Sequence, residues 1–175
     1  MFERHKVFVS YHHRNDQYYK ERFYQLFGHL FINKSVGLGE IATDNSTEYI
    51  KRLIREDYIE DCSVLIILIG RETYCRKHVD WEISAALNAK VGGYSGVVGL
   101  RLPTHPDFTK TSYTPATTPA RFVDNMQTGF ANYYDWTEVP MEMYRIVHQA
   151  YESRISKKHL INNSRQQMQR NLCGD

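Results

Sequence analysis

Cysteine is scarce: Cys62, Cys75 and Cys173 are the only three in 175 residues, an odd number with no CxxC spacing. That argues against a disulfide framework and a zinc site, and it fits a reducing cytoplasm. No apolar run approaches the roughly 20 residues of a membrane span. The opening Met1-Phe-Glu-Arg-His has no apolar signal core, so secretion is unsupported. An excess of one charge is also missing. With 22 basic and 20 acidic residues the net charge is +2, too little to argue for nucleic acid or a membrane surface. Glycine is absent from Ser10-Tyr-His-His-Arg14, which speaks against the phosphate turn of a dinucleotide-binding oxidoreductase.

What is present is an ordinary globular composition, 42% apolar and 24% charged, in a chain long enough to bury one core. The sequence reads as one domain over 1–155 followed by a polar tail over 156–175. Six successive apolar residues, Val64 to Ile69, leave no room for period-2 alternation. A run of that length and β-branched content predicts a strand buried on both faces, at the centre of a parallel sheet. It stops at Gly70, and a helical pattern begins near Val79.

Other elements follow from pattern. Lys6 to Tyr11 predicts the first strand, followed by a helix capped near Asn15 or Asp16. Tyr19, Phe23, Leu26, Phe27 and Leu30 share one face of that helix. His29 to Asn33 predicts a second strand. Gly37 and Gly39 mark a loop, and Asn45 with Glu48 resembles a capping box for a helix burying Tyr49, Ile50, Leu53, Ile54 and Tyr58. The third helix carries Ile83, Ala86, Leu87 and Lys90 and is expected to end at Gly92-Gly93. Ser95 to Arg101 predicts a fourth strand whose glycines allow close approach of another backbone. Pro103 to Gly129, with four of the five prolines, reads as a long irregular loop suited to a lid or docking surface. Phe130 to Trp136 predicts an edge strand. Pro140 opens a last helix with Met143, Tyr144, Val147, Ala150 and Tyr151 on one face. Asn162 to Asp175 reads as disordered, or helical only against a partner.

The alternation predicts an α/β, doubly wound parallel sheet of about five strands with helices on both faces. A flavodoxin-like order 2-1-3-4-5 is the first choice, with the cleft where the first and third strands end. Ser10, Tyr11 and His12 lie at one strand end and Gly70, Arg71 and Glu72 at the other. Trp81 and Glu82 sit near that edge, on the first turns of the next helix.

Val7-Phe-Val-Ser-Tyr-His12, Asp16, the strand Val64 to Gly70 with its Leu-Ile-Gly-X-X-Thr ending, and Val79-Asp-Trp-Glu-Ile83 together resemble the TIR-like family of Thoeris anti-phage ThsB proteins. The resemblance spans about His5 to Leu102. It implies a TIR-like fold that consumes NAD⁺ as substrate, with no further cofactor, by cleaving the nicotinamide–ribose bond with one glutamate at the start of the third helix. By motif position that catalytic residue is Glu82. It further implies an ADP-ribose-derived messenger, linear or cyclic, that activates an effector of ThsA type, and self-association that completes the pocket. Family members usually carry a tryptophan several residues before the glutamate, whereas Trp81 is adjacent to it here.

The chemistry is compatible with that reading. Nicotinamide is a cationic leaving group and needs no proton, so the acid of the usual glycosidase pair is dispensable. A single carboxylate can stabilise the developing positive charge on the ribose. Each candidate also has a plainer reading. Glu82 fits a solvated carboxylate favoured by the helix dipole. Trp81 fits a core residue as well as a ring stacked on substrate. Tyr11 and His12 fit cleft walls. Asp44, Asn45 and Ser46 offer oxygens to a ligand, or a simple helix cap. Arg71 and Arg101 are either pyrophosphate partners or solvated. His5, His12, His13 and His78 match no zinc spacing. Competing functions are a TIR-type interaction module without catalysis and a nucleoside deoxyribosyltransferase-like enzyme. A phospho-accepting receiver is disfavoured, because its third strand should end in aspartate rather than Gly70.

Overall fold

Val64–Ile69 is the central strand, β3, of the computed structural model, which describes residues 2–34, 46–54 and 59–174. All six of its side chains are buried. β1 (Lys6–Ser10) and β4 (Gly96–Arg101) flank it, and β2 (Ile32–Asn33) and β5 (Asn132–Asp135) form the edges. Every pairing is parallel, in the order β2-β1-β3-β4-β5. This is the expected flavodoxin-like sheet.

Strand alternation divides the core in two. Leu65, Ile67 and Ile69 face a cluster built with α2 (Thr47–Leu53), α3 (Lys77–Ala86) and α4 (Ala120–Gln127), including Ile50, Ile83 and Phe122. Val64, Ile66 and Leu68 face α1 (His13–Phe27) and α5 (Pro140–Ser156) through Phe23, Phe27, Met143 and Val147. The expected faces of the first and last helices are therefore the buried ones. Gly96 allows the tightest of these contacts: a Cβ there would lie 2.0 Å from the Ala150 carbonyl oxygen of α5.

Several boundaries differ from expectation for local reasons. The first helix starts at His13, not at Asn15 or Asp16, because His12 Nδ1 accepts the Asn15 amide at 3.1 Å and serves as the cap. Asp16 interrupts the helical geometry, with φ −123° and ψ 19°. β2 is only two residues long, since Leu30 N–H donates back to Phe27 O in a turn. The second helix is capped by Ser46, whose hydroxyl accepts the Tyr49 amide; Asp44, Asn45, Gly37, Gly39 and Tyr58 lie outside the described residues. α3 stops at Ala86, well before the glycine pair. Lys90 instead donates to the carbonyls of Ile59 and Cys62 and to Ser95 Oγ.

Three larger expectations are corrected. The proline-rich stretch contains α4, whose Arg121, Phe122, Val123 and Asn125 are buried. The helix is stabilised by tertiary burial rather than by its own propensity. Residues 162–174 are not left to a partner: they lie along α3, bound to it by hydrogen bonds. Cys75 and Cys173 form a disulfide across 98 residues of sequence, with Cα atoms 5.3 Å apart, although the odd number and spacing of the cysteines argue against a disulfide framework. Cys62 is a buried free thiol. Among the described residues no helix is long and apolar enough to cross a membrane.

Candidate functional site

The carboxyl ends of β1 and β3 define the site, because both chains turn sharply there. After β3 the turn is closed by Thr73, whose Oγ1 accepts the Gly70 amide at 2.8 Å and donates to Leu68 O at 3.2 Å. That explains the Gly-X-X-Thr spacing. Gly70 has a second requirement: a Cβ there would meet the Asp16 carboxylate at 2.3 Å. Asp16 is 1% exposed; its Oδ1 accepts from Thr104 and its Oδ2 has no hydrogen-bond partner among the described residues. Burial raises its pKa to about 6, with Glu72 adding to the rise and the Thr104 bond opposing it.

Glu82 projects from α3 towards the end of β1. It is 2% exposed, its Oε2 has no hydrogen-bond partner among the described residues, and burial raises its pKa to about 8. The one opposing influence is Ser10, close to the carboxyl group but without hydrogen-bond geometry good enough to partner its own buried Oγ. Tyr11 also feels the Glu82 charge, which adds to burial in raising the phenol's pKa. A buried carboxyl group with an unused oxygen costs free energy, and such groups concentrate at functional sites.

Beyond Tyr11 opens a cleft of about 620 Å³, which Tyr11 lines and Glu82 itself does not. Tyr11, His12 and His13 form one wall, and Glu72, Arg76 and His78 another. Asn15 Nδ2 joins the walls by donating to Glu72 Oε2 at 3.0 Å. The Tyr11 and His13 rings lie 4.5 Å apart. Burial lowers the pKa of all three histidines, that of His78 to about 4, and Arg76 lowers each further. The imidazoles are therefore neutral at pH 7, and the fixed positive charge on the wall belongs to Arg14 and Arg76. Among the described residues no group of His, Cys, Asp or Glu is arranged to hold a metal ion.

The structure thus brings Ser10, Tyr11, His12 and Glu82 together, with Tyr11 as the link between the buried carboxyl group and the open cleft. Trp81 does not join them. It points to the α2 side, its indole N–H donates to Met168 O at 2.8 Å, and Lys51 and Lys77 lie over its ring. The adjacent position in the helix puts it about 100° away from Glu82, so it cannot share the cleft. Ser46 is occupied as the α2 cap, and Asp44 lies outside the described residues. Arg101 is taken up by Asp135 at 2.6 Å and by carbonyls of Ser112 and Lys110, while Arg71 is exposed. Sequence reasoning placed Glu72 at the cleft edge, where it is found, but missed His13, Arg76 and His78 as walls. One turn of helix separates His78 from Glu82, which was the available signal.

No curated protein matches the chain. Among solved structures, the TIR domains of the activated Roq1 resistosome directly recognizing the pathogen effector XopQ are similar over 89% of this chain and 84% of that one. The identity is 12% and the TM-score 0.41. The family described as Thoeris protein ThsB, TIR-like domain, matches residues 8–107. That span runs from within β1 to beyond β4 and includes Glu82 and both walls of the cleft except Gly174. The chain belongs to the ThsB TIR-like family.

Proposed function

We propose that the protein is an NAD⁺-consuming enzyme of bacterial antiviral defence that cleaves the nicotinamide–ribose bond with Glu82. The observation that carries this reading is a buried carboxyl group with an unpartnered oxygen behind a cleft at the sheet's carboxyl edge. Such an edge is where open parallel sheets bind ligands. In the reaction the C1′–N bond breaks and its electron pair leaves with nicotinamide, which needs no proton. The Glu82 carboxylate stabilises the positive charge left on the ribose, an effect strengthened where water is excluded. Tyr11 and His12 would wall the sugar and nicotinamide, and Arg14 and Arg76 suit the pyrophosphate. Water then adds to C1′ and releases a proton, giving ADP-ribose; an adenine nitrogen or ribose hydroxyl of the same molecule gives a cyclic product instead. The product would act as a diffusible messenger on an effector of ThsA type in the cytoplasm, with self-association completing the pocket.

The test is release of nicotinamide from NAD⁺, followed by chromatography with the wild type and Glu82→Gln side by side. The expected result is a loss of about 100-fold or more in the variant. The acid limb of kcat/KM should lie near the pKa of about 8 that burial imposes on Glu82 in the free protein. Silence of the wild type both alone and in lysate from infected cells would overturn the enzyme reading and leave an interaction module.

A further inference from the structure

Residues 162–174 run antiparallel along the whole of α3. Asn163 Nδ2 donates to Ser84 O at 3.0 Å near the helix's end. Met168 N–H donates to Asp80 Oδ2 at 2.8 Å in its middle, beside the Trp81 indole bond to Met168 O. At its beginning Asn171 Oδ1 accepts the Lys77 amide at 3.0 Å. That bond supplies the cap which the N-cap residue Arg76 does not provide with its own side chain. Leu172 N–H then donates to Cys75 O at 2.9 Å, Cys173 is joined to Cys75, and Gly174 reaches the cleft wall.

The two halves of this segment are held differently. Around Met168 it is locked into a buried network: Arg121 pairs with Asp80 and donates to Asn163 Oδ1 and the Arg165 carbonyl. Beyond Met168, Leu172 is 66% exposed and Arg170 is exposed, and the disulfide is the covalent fastening. Cys75 is 1% exposed while Cys173 is half-buried, so Cys173 is the sulfur a reductant can reach.

We propose that residues 169–174 are a redox-latched strap, fastened by the Cys75–Cys173 disulfide over the first turn of the helix that carries Glu82, and that reduction releases it from the cleft. The consequence for catalysis rests on the function proposed above; the latch itself does not. A dithiol reductant adds one thiolate to Cys173, and Cys75 leaves as a thiolate that takes up a proton. The reductant's second thiol then closes its own disulfide and frees Cys173, so two electrons pass to the protein and both cysteines end as thiols. The released turn loses the Asn171 cap on Lys77 and slackens His78, a wall of the cleft one helical turn before Glu82. Arg121 keeps the segment up to Met168 in place.

The test uses the full chain, oxidised and reduced with dithiothreitol, beside Cys173→Ser, read by hydrogen exchange with mass spectrometry. Reduction is expected to speed exchange about tenfold or more at 170–174 and at the amide of Lys77, while β3 and residues 163–168 stay unchanged. Cys173→Ser should show the fast pattern in both conditions. In the nicotinamide assay the open states should raise KM about threefold or more with kcat nearly unchanged, because substrate binding is weakened and Glu82 itself is not moved. Absence of the bond from the oxidised protein by intact mass and thiol labelling would overturn the latch, as would identical exchange in both states. Faster exchange with an unchanged KM would overturn its control of the cleft. A chain with no Glu82-dependent turnover in any state would remove the enzyme reading, and the exchange pattern would still decide the latch.

Discussion

Glu82 makes the protein's stability depend on pH with a definite sign. Its folded-state pKa of about 8 lies above the ordinary 4.5, so the protonated form is the one the fold prefers. The carboxyl group's contribution is fully favourable below the unfolded pKa and is lost as pH rises towards the folded one. The loss amounts to about 1.4 kcal/mol for each unit separating the two values. Glu82→Gln cannot ionise, so its melting temperature should gain steadily on the wild type between pH 5 and pH 8.5; parallel curves would contradict the burial of an unpaired carboxyl group. Asp16, raised from 3.8 to about 6, has the same sign over the lower part of that range. Asp16 also explains Gly70. Gly70→Ala pushes a methyl group into the carboxylate and should cost about 1–3 kcal/mol in denaturant unfolding. The double variant with Asp16→Ala should recover part of that loss, because the two sites are in contact and not additive. Ser10-Tyr11-His12 was legible from the strand end, and Glu82 from its place on the first turns of the next helix together with the family resemblance. The neutral state of His12, His13 and His78 was not, since burial and a shared Arg76 are properties of the assembled walls.

Elements were legible in proportion to the continuity of their pattern. β3 announced itself because six apolar residues buried on both faces need no phase information. α1 and α5 were legible from their stripes, which the two-sided sheet then covers. The close approach expected of the fourth strand's glycines is met at Gly96, where the α5 backbone lies against β4. Gly96→Ala would force that helix off the sheet and should lower stability by about 3 kcal/mol or more, measured by urea unfolding. An unchanged midpoint would mean that α5 does not rest there. α4 escaped notice because an eight-residue helix behind a proline-rich run has too few turns to display a period. The segment 162–174 escaped for a different reason: it has no regular hydrogen bonding of its own and borrows its partners from α3.

The whole molecule is held together where α3, α4 and the C-terminal segment meet at Arg121. Its guanidinium, buried from solvent, joins Asp80 of α3 to Asn163 and the Arg165 carbonyl. Arg121→Ala leaves Asp80 buried without its cation and should cost about 3–5 kcal/mol, with loss of protection along 162–168 in hydrogen exchange. Protection that survives would show that the segment is held by its other bonds alone. By itself the sequence determined the α/β class, the parallel strand order, the buried centre and the position of Glu82. Those follow from apolar periodicity and from turn residues within a few positions of one another, which any reader of the chain can inspect. Only the tertiary structure decided that Trp81 belongs under the C-terminal segment, that Cys75 meets Cys173, and that three neutral histidines line one cleft. Each of these joins residues from separate elements, 98 positions apart in the case of the cysteines. Local pattern carries no information about contacts that exist only once the layers have packed. The same holds for Glu82 itself: spacing put it on the helix next to the central strand, but its unpaired oxygen and raised pKa came from the packing that closed around it.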